Sequence, residues 1–221
     1  MADWVQPGVI GAIALVAGFF GHRMLWRRLP RLATAPTPSL GSDVLAGAIT
    51  GAAAVALAPL GTNPAGAVAY GFFAIAGVQL SLIDARLKLL PNVLVLPTAG
   101  ISLALLAATA AAEDAWLSLG RAVAGGAALF VAYLVLALVS PSGIGMGDVK
   151  LSVVAGVFLA YQGWMPLVVG AAAGFVIGAL VGLALLAARK ANRHTTVPFG
   201  PSMLGGAVLV LASIPAGLFA L

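Results

Sequence analysis

Two aspartates stand where long apolar runs meet short polar loops, and these are the residues best placed to do chemistry. Asp84 closes one run as Ser81-Leu82-Ile83-Asp84, and Asp148 opens another in Gly145-Met146-Gly147-Asp148-Val149-Lys150-Leu151. A carboxylate at membrane depth is costly, so it is a functional candidate by default. Each also has a structural reading. Asp148 suits a helix cap, and Asp84 suits an ion pair with Arg86 or Lys88 near lipid head groups. Brought together, the two gain a specific capability. Like charges in a low dielectric cannot both ionise cheaply, so the pair shares a proton. One carboxyl is then a base that activates water, and the other an acid that polarises a peptide carbonyl.

The surroundings of the pair contain residues with special backbone properties. Gly145 and Gly147 bracket the approach to Asp148, and glycine permits unusual angles and close approach of another chain. Pro91, followed by Asn92, starts a helix without wasting an amide donor. A third irregular stretch, Val197-Pro198-Phe199-Gly200-Pro201, opens the last apolar run. Lys150 is close enough in sequence to meet either the carboxylates or a lipid phosphate. The chain has no cysteine, which excludes disulfides, thiolate catalysis and Cys-ligated zinc. His22 and His194 are isolated in basic loops, where solvation is their simplest role. No metal-ligand cluster is visible, so neither a metal nor another cofactor is expected.

Composition identifies the elements that must position these residues. The chain is 62% hydrophobic and only 8% charged, against about 25% charged in a soluble domain. A polar surface cannot be made from that alphabet, whereas in lipid the outside is apolar and helices satisfy their own backbone. A barrel would need strands of alternating polarity; the runs here are continuous and rich in Ala, Leu and Gly. The fold class is therefore all-α, a polytopic membrane protein of about eight transmembrane helices. The runs fall near residues 5–25, 43–60, 65–83, 92–112, 119–139, 148–161, 165–188 and 201–221, the sixth being short. Asp43 is read as the cap of the second run, and residues 22–42 as a basic, Pro-rich linker in which a regular helix is disfavoured.

Charge sets the orientation. Arg23, Arg27, Arg28 and Arg31 follow the first run rather than precede it, which argues for a retained anchor with its N-terminus outside. Alternate loops then carry Arg86 and Lys88, Lys150, and Arg189, Lys190 and Arg193, while the opposite loops carry Glu113 and Asp114. That is the positive-inside pattern, with Arg121 as the exception. The net charge of +5 is thus a topology signal, and no nucleic-acid partner is inferred. Both aspartates fall on the cytoplasmic side. Gly170, Gly174, Gly178 and Gly182 share one helix face and allow a close neighbour, read as packing within the chain with a homodimer seam as the alternative.

These motifs resemble the type IV prepilin peptidase family, a branch of the GxGD intramembrane aspartic proteases. The family pattern is an Asp followed by Pro-Asn, then Gly-x-Gly-Asp-Val-Lys-Leu, then a late Pro-Phe-Gly-Pro. Asp84 with Pro91-Asn92, Gly145 through Leu151, and Pro198 through Pro201 match its three parts. The resemblance covers roughly residues 43–221 and implies that Asp84 and Asp148 are the catalytic pair. It implies a pilin-like protein substrate with a short basic leader ahead of a hydrophobic helix. The leader would be cut at the cytoplasmic face of a bacterial inner membrane, in service of type IV pili or protein secretion. Larger members carry a cytoplasmic domain with paired Cys-x-x-Cys motifs after the first helix. That place is held here by a short linker, so zinc binding and N-methylation are not carried over, and the chain looks like a compact, peptidase-only form. Residues 1–42 read as anchor and linker, and residues 43–221 as the peptidase-like membrane domain.

Two other readings are open. A small proton-coupled transporter could use Asp84 and Asp148 as proton carriers, with Gln79 the only deeper polar group nearby. Against it, transport sites lie near the midplane between repeats, and no internal repeat is visible. A non-catalytic assembly subunit would leave both aspartates without a task.

Overall fold

The computed structural model describes residues 5–28, 39–88, 90–140, 144–188 and 198–218. Within them the chain forms α1 (Val5–Arg28), α2 (Leu40–Leu57), a one-turn 3₁₀ helix, α3 (Pro64–Leu87), α4 (Asn92–Glu113), α5 (Trp116–Val139), α6 (Met146–Gln162), α7 (Trp164–Ala187) and α8 (Gly200–Ser213). The chain is an all-α polytopic membrane protein. Six helices are long and apolar enough to cross a bilayer: α1 to α5 and α7, with α2 counted together with its 3₁₀ extension. At 1.5 Å per residue, α6 and α8 are only about 26 and 21 Å long, short of a core of about 30 Å.

The shortness of α6 follows from where it sits. Most of its residues are buried, and it packs against α4, α5, α7 and α8. It is a central helix surrounded by protein. Large apolar side chains instead face outward elsewhere, among them Leu117, Val139, Leu138 and Val93, as a lipid-facing surface requires. Tight pairs hold the bundle: α1 with α2, α5 with α6, and α7 with α8. Their contacts are backbone-close. A Cβ on Gly156 would lie 2.9 Å from the Cα of Gly126, so α5 and α6 could not approach as they do with alanine there.

The glycine face of α7 packs within the chain at three of its four positions. A Cβ on Gly170 would meet Leu159 at 2.6 Å, one on Gly174 the backbone of Met203 at 3.0 Å, and one on Gly178 the ring of Phe199 at 3.1 Å. Gly182 has open space.

Local sequence explains the helix starts. Ser39 caps α2, its side chain accepting from the Ser42 amide at 3.2 Å. Asn63 caps α3, accepting from the Gly66 amide at 2.9 Å, with Pro64 in the first position. The reading of Asp43 as the cap of α2 is therefore corrected: Asp43 lies inside the helix and is 1% exposed. The region of residues 22–42 is corrected too, because α1 runs on through Arg28 and α2 begins at Leu40. Residues 29–38, including Pro30, Pro36 and Pro38, lie outside the described residues.

His22 is likewise not solvated. It is fully buried in α1, its Nε2 3.9 Å from Asp43 Oδ1, while Arg23 lies 3.8 Å from Oδ2 of the same carboxylate. Burial of Asp43 without a countercharge would be prohibitive, and the Arg23 guanidinium supplies it, with the His22 imidazole beside it. The Arg86 guanidinium sits 4.9 Å from the centre of the Trp26 ring, and Gln79 Nε2 donates to the Gly18 carbonyl at 3.0 Å. Polar contacts therefore tie α1 to α3. His194 lies outside the described residues.

At the end of the bundle away from Asp84, Arg121 finds its reason. Its Nε donates to the Ala160 carbonyl and its Nη2 to that of Tyr161, both at 2.6 Å. The guanidinium thus satisfies the last turn of α6 and sits against its negative dipole end. Glu113, nearby, accepts from Thr62 and from Asn63 Nδ2, the latter at 2.6 Å.

Candidate active site

Asp84 occupies the last turn of α3. It is 5% exposed, and its Oδ2 accepts the backbone N–H of Gly200 at 3.0 Å. Gly200 is the first residue of α8 and so offers an amide that no helix carbonyl claims. Pro201 follows it in the first turn, where a missing amide costs nothing. The identity of Gly200 is dictated by space: a Cβ there would lie 2.7 Å from Asp84 Oδ2 and 3.2 Å from its Cγ. Pro198 is half-buried just ahead of this contact. Behind Asp84 the helix stops at Lys88, whose left-handed φ of 51° closes α3 with its N–H on the Asp84 carbonyl at 2.8 Å. A lysine with that backbone is unusual outside glycine and asparagine.

Asp148 occupies the first turn of α6 and is 8% exposed. Its Oδ2 accepts the Gly145 amide at 3.2 Å, so one oxygen does cap the helix. Its Oδ1 is buried and has no hydrogen-bond partner among the described residues. A buried, unpaired carboxylate oxygen is rare enough to need an explanation, and a catalytic role is one. The two carboxylates lie near enough for the charge of Asp84 to act on Asp148.

The supporting residues divide by what they touch. Gly147 is needed for close approach, since a Cβ would lie 2.9 Å from the Leu90 side chain in the α3–α4 connection. Gly145 is not: its φ of −77° suits any residue, and a Cβ would meet Asp148 Oδ2 at an ordinary 3.5 Å. Neither glycine uses an angle reserved for it. Pro91 is the N-cap of α4, its carbonyl accepting from Leu94 at 2.9 Å. Lys150 Nζ donates to Asn92 Oδ1 at 2.8 Å. The lysine therefore joins the start of α6 to the start of α4. The Asp84–Pro91–Asn92 spacing thereby becomes intelligible, because the residues at its two ends reach α8 and α6.

One residue near the site was not singled out from the sequence. Tyr133 of α5 is 1% exposed, its hydroxyl has no hydrogen-bond partner among the described residues, and it lies within electrostatic range of Asp148. Its ring stacks on Phe175 at 5.5 Å and lies 5.9 Å from Phe199. The only signal available beforehand was a hydroxyl inside a purely apolar run.

The arrangement is thus two buried carboxylates at one end of the bundle. Each is fixed through one oxygen by a backbone amide, and they come from helices that do not adjoin in sequence. A family model described as the type IV leader peptidase family matches residues 69–220, which include both aspartates. The chain is 37% identical over 127 residues to the "Prepilin leader peptidase/N-methyltransferase" of Stutzerimonas stutzeri, covering 56% of this chain and 42% of that protein. A protein of the same description from Pseudomonas putida is 37% identical over 140 residues, covering 61% and 46%. Another from Pseudomonas aeruginosa is 37% identical over 127 residues, covering 56% and 42%. The chain spans less than half the length of these curated relatives. No solved structure matches it. Since the family match runs through α3 to α8 and takes in every part of the carboxylate site, the chain belongs to the type IV leader peptidase family.

Proposed function

We propose that this chain is an intramembrane aspartic endopeptidase that removes the short basic leader of type IV prepilin-like precursors. The observation that carries the reading is the pair of buried carboxylates, Asp84 and Asp148, of which Asp148 keeps one oxygen unpartnered among the described residues. The pair holds one proton between its members. The ionised carboxylate takes a proton from water, whose oxygen attacks the scissile carbonyl. The protonated one donates to the carbonyl oxygen as the tetrahedral intermediate forms. Collapse breaks the C–N bond, and the amine leaves with a proton from the pair. The amides of Gly200 and Gly145 keep the two carboxyl groups oriented throughout.

Cleavage is assigned to the cytoplasmic face of the inner membrane. Arg86, Lys88 and Lys150 lie at the same end of the bundle as the pair, and basic residues favour the inside. The proposal covers leader removal alone. The N-methyltransferase half of the relatives' description is not carried over, since the chain has no cysteine and spans under half of their length.

The test is co-expression with a prepilin-like precursor, comparing wild type with Asp84→Asn and Asp148→Asn by gel mobility and N-terminal sequencing. Shortening by wild type alone is expected, with all three inserted equally in the membrane. Shortening by the variants as well would assign the cut to another protease.

A further inference from the structure

We propose that the apolar groove between α2, α3 and α8 seats the hydrophobic helix that follows the scissile bond of the precursor; this rests on the peptidase reading above. The groove has a volume of about 410 Å³ and carries no charged side chain among the described residues. Its walls include Ile49 of α2, Gly77, Ser81 and Ala85 of α3, and Pro201 and Val208 of α8.

Its position argues for the substrate as occupant. The rim at one end is made by Ala85 and Pro201. These are the residues immediately after Asp84 and Gly200, which are joined by the carboxylate–amide hydrogen bond. From Ala85 the groove follows α3 back as far as Phe73, and it follows α8 from Pro201 to Leu209. At 1.5 Å per residue these stretches are about 18 and 12 Å long. A single leaflet is about half of the 30 Å hydrocarbon core. A helix leaving the cut peptide would thus be covered through the leaflet next to the aspartates, with its scissile bond beside Asp84.

The wall residues are also smaller than the fold requires. A Cβ on Gly77 would meet nothing nearer than Leu204 at 3.9 Å, and one on Gly205 nothing nearer than Ile177 at 4.0 Å. By contrast Gly206, one residue on, has a backbone atom of Gly174 pressed against it. Internal packing explains Gly206 but leaves Gly77 and Gly205 unexplained. Small residues on a membrane helix let another backbone approach closely, and an incoming helix would use that room.

The absence of cysteine makes the test clean. Leu209→Cys places a single thiol at the end of the groove away from Asp84, and Leu183→Cys places one on α7 outside it; both leucines are well exposed, at 64% and 62%. Each is combined with a precursor carrying one cysteine about eight residues beyond the cut, the helical equivalent of about 12 Å, under a mild oxidant. A precursor disulfide with Leu209→Cys and none with Leu183→Cys is expected. As a second measurement, Ala53→Phe, which fills the groove from α2, should raise KM for the intact precursor at least tenfold while kcat holds. Equal cross-linking at both positions overturns the proposal. So does none at either while the precursor is cleaved, which would mean a groove filled by lipid. Cross-links between two copies of the enzyme without precursor would make it a dimer seam and overturn it as well. Failure of the wild type to cleave at all would remove the peptidase reading first, and the groove assignment with it.

Discussion

Gly200→Ala is the substitution that most sharply tests the site. A methyl group on Gly200 would lie 2.7 Å from Asp84 Oδ2, where ordinary contact begins near 3.4 Å. Either the carboxylate or the start of α8 must therefore yield by about 0.7 Å. The 3.0 Å hydrogen bond that orients Asp84 is stretched or lost. A hydrogen bond to a charged group contributes about 1.5–3 kcal/mol, and a misplacement near 1 Å costs up to ~10²-fold in rate. We expect kcat for precursor cleavage to fall by about 10- to 100-fold, with unchanged membrane insertion. The control is Gly145→Ala, whose Cβ finds an ordinary 3.5 Å contact at a φ open to any residue. A substitution without a clash or strain stays within about 0.5 kcal/mol, so that variant should keep its kcat within about threefold. Rates are read from the time course of leader loss with purified enzyme in detergent. If Gly200→Ala were as active as Gly145→Ala, the geometric account of Asp84 would fail.

Other outcomes follow from the same contacts. The pH–rate profile should fall on the acid side as the base is protonated and on the alkaline side as the acid loses its proton, with the two limbs belonging to the pair; a flat profile from acidic to neutral pH argues against a shared proton. Tyr133→Phe deletes a buried hydroxyl without a partner among the described residues, so the melting temperature should hold or rise, because the desolvation cost of about 1–3 kcal/mol disappears. If that hydroxyl serves substrate at the Asp148 side, kcat falls about tenfold in the same variant, and an unchanged kcat reduces Tyr133 to core packing. A double-mutant cycle of Lys150→Met with Asn92→Ala should show a coupling of about 1 kcal/mol in thermal stability, from the single 2.8 Å bond between them; additive effects would show that the bond contributes nothing.

The helices and the two aspartates were legible because each has a local signal. Continuous apolar runs reveal their lengths by counting, and Asp84 and Asp148 stand out as charges at run ends. The position of α6 in the centre was not legible, since a helix covered by protein and one covered by lipid are equally apolar. Nor was the burial of His22 and Asp43. Their compensation is a contact across α1 and α2, and each residue alone looks like part of a basic linker or a helix cap. The Lys150–Asn92 bond was not legible for a related reason. The lysine's nearest charge in sequence is Asp148, but its partner in space is Asn92, which another helix start delivers. Tyr133 left no trace beyond one oxygen in an apolar stretch.

The two ends of α6 have a mechanical consequence. One end is moored by the Lys150 bond to Asn92 of α4, and the other by the Arg121 guanidinium of α5 on the carbonyls of Ala160 and Tyr161. Sliding along its axis would break polar bonds at both ends at once. On the proposed peptidase reading, Asp148 is thus the stationary jaw. Any change in the gap between the carboxyl groups as a peptide enters falls to the opposite jaw, where Asp84 is clasped to the start of α8.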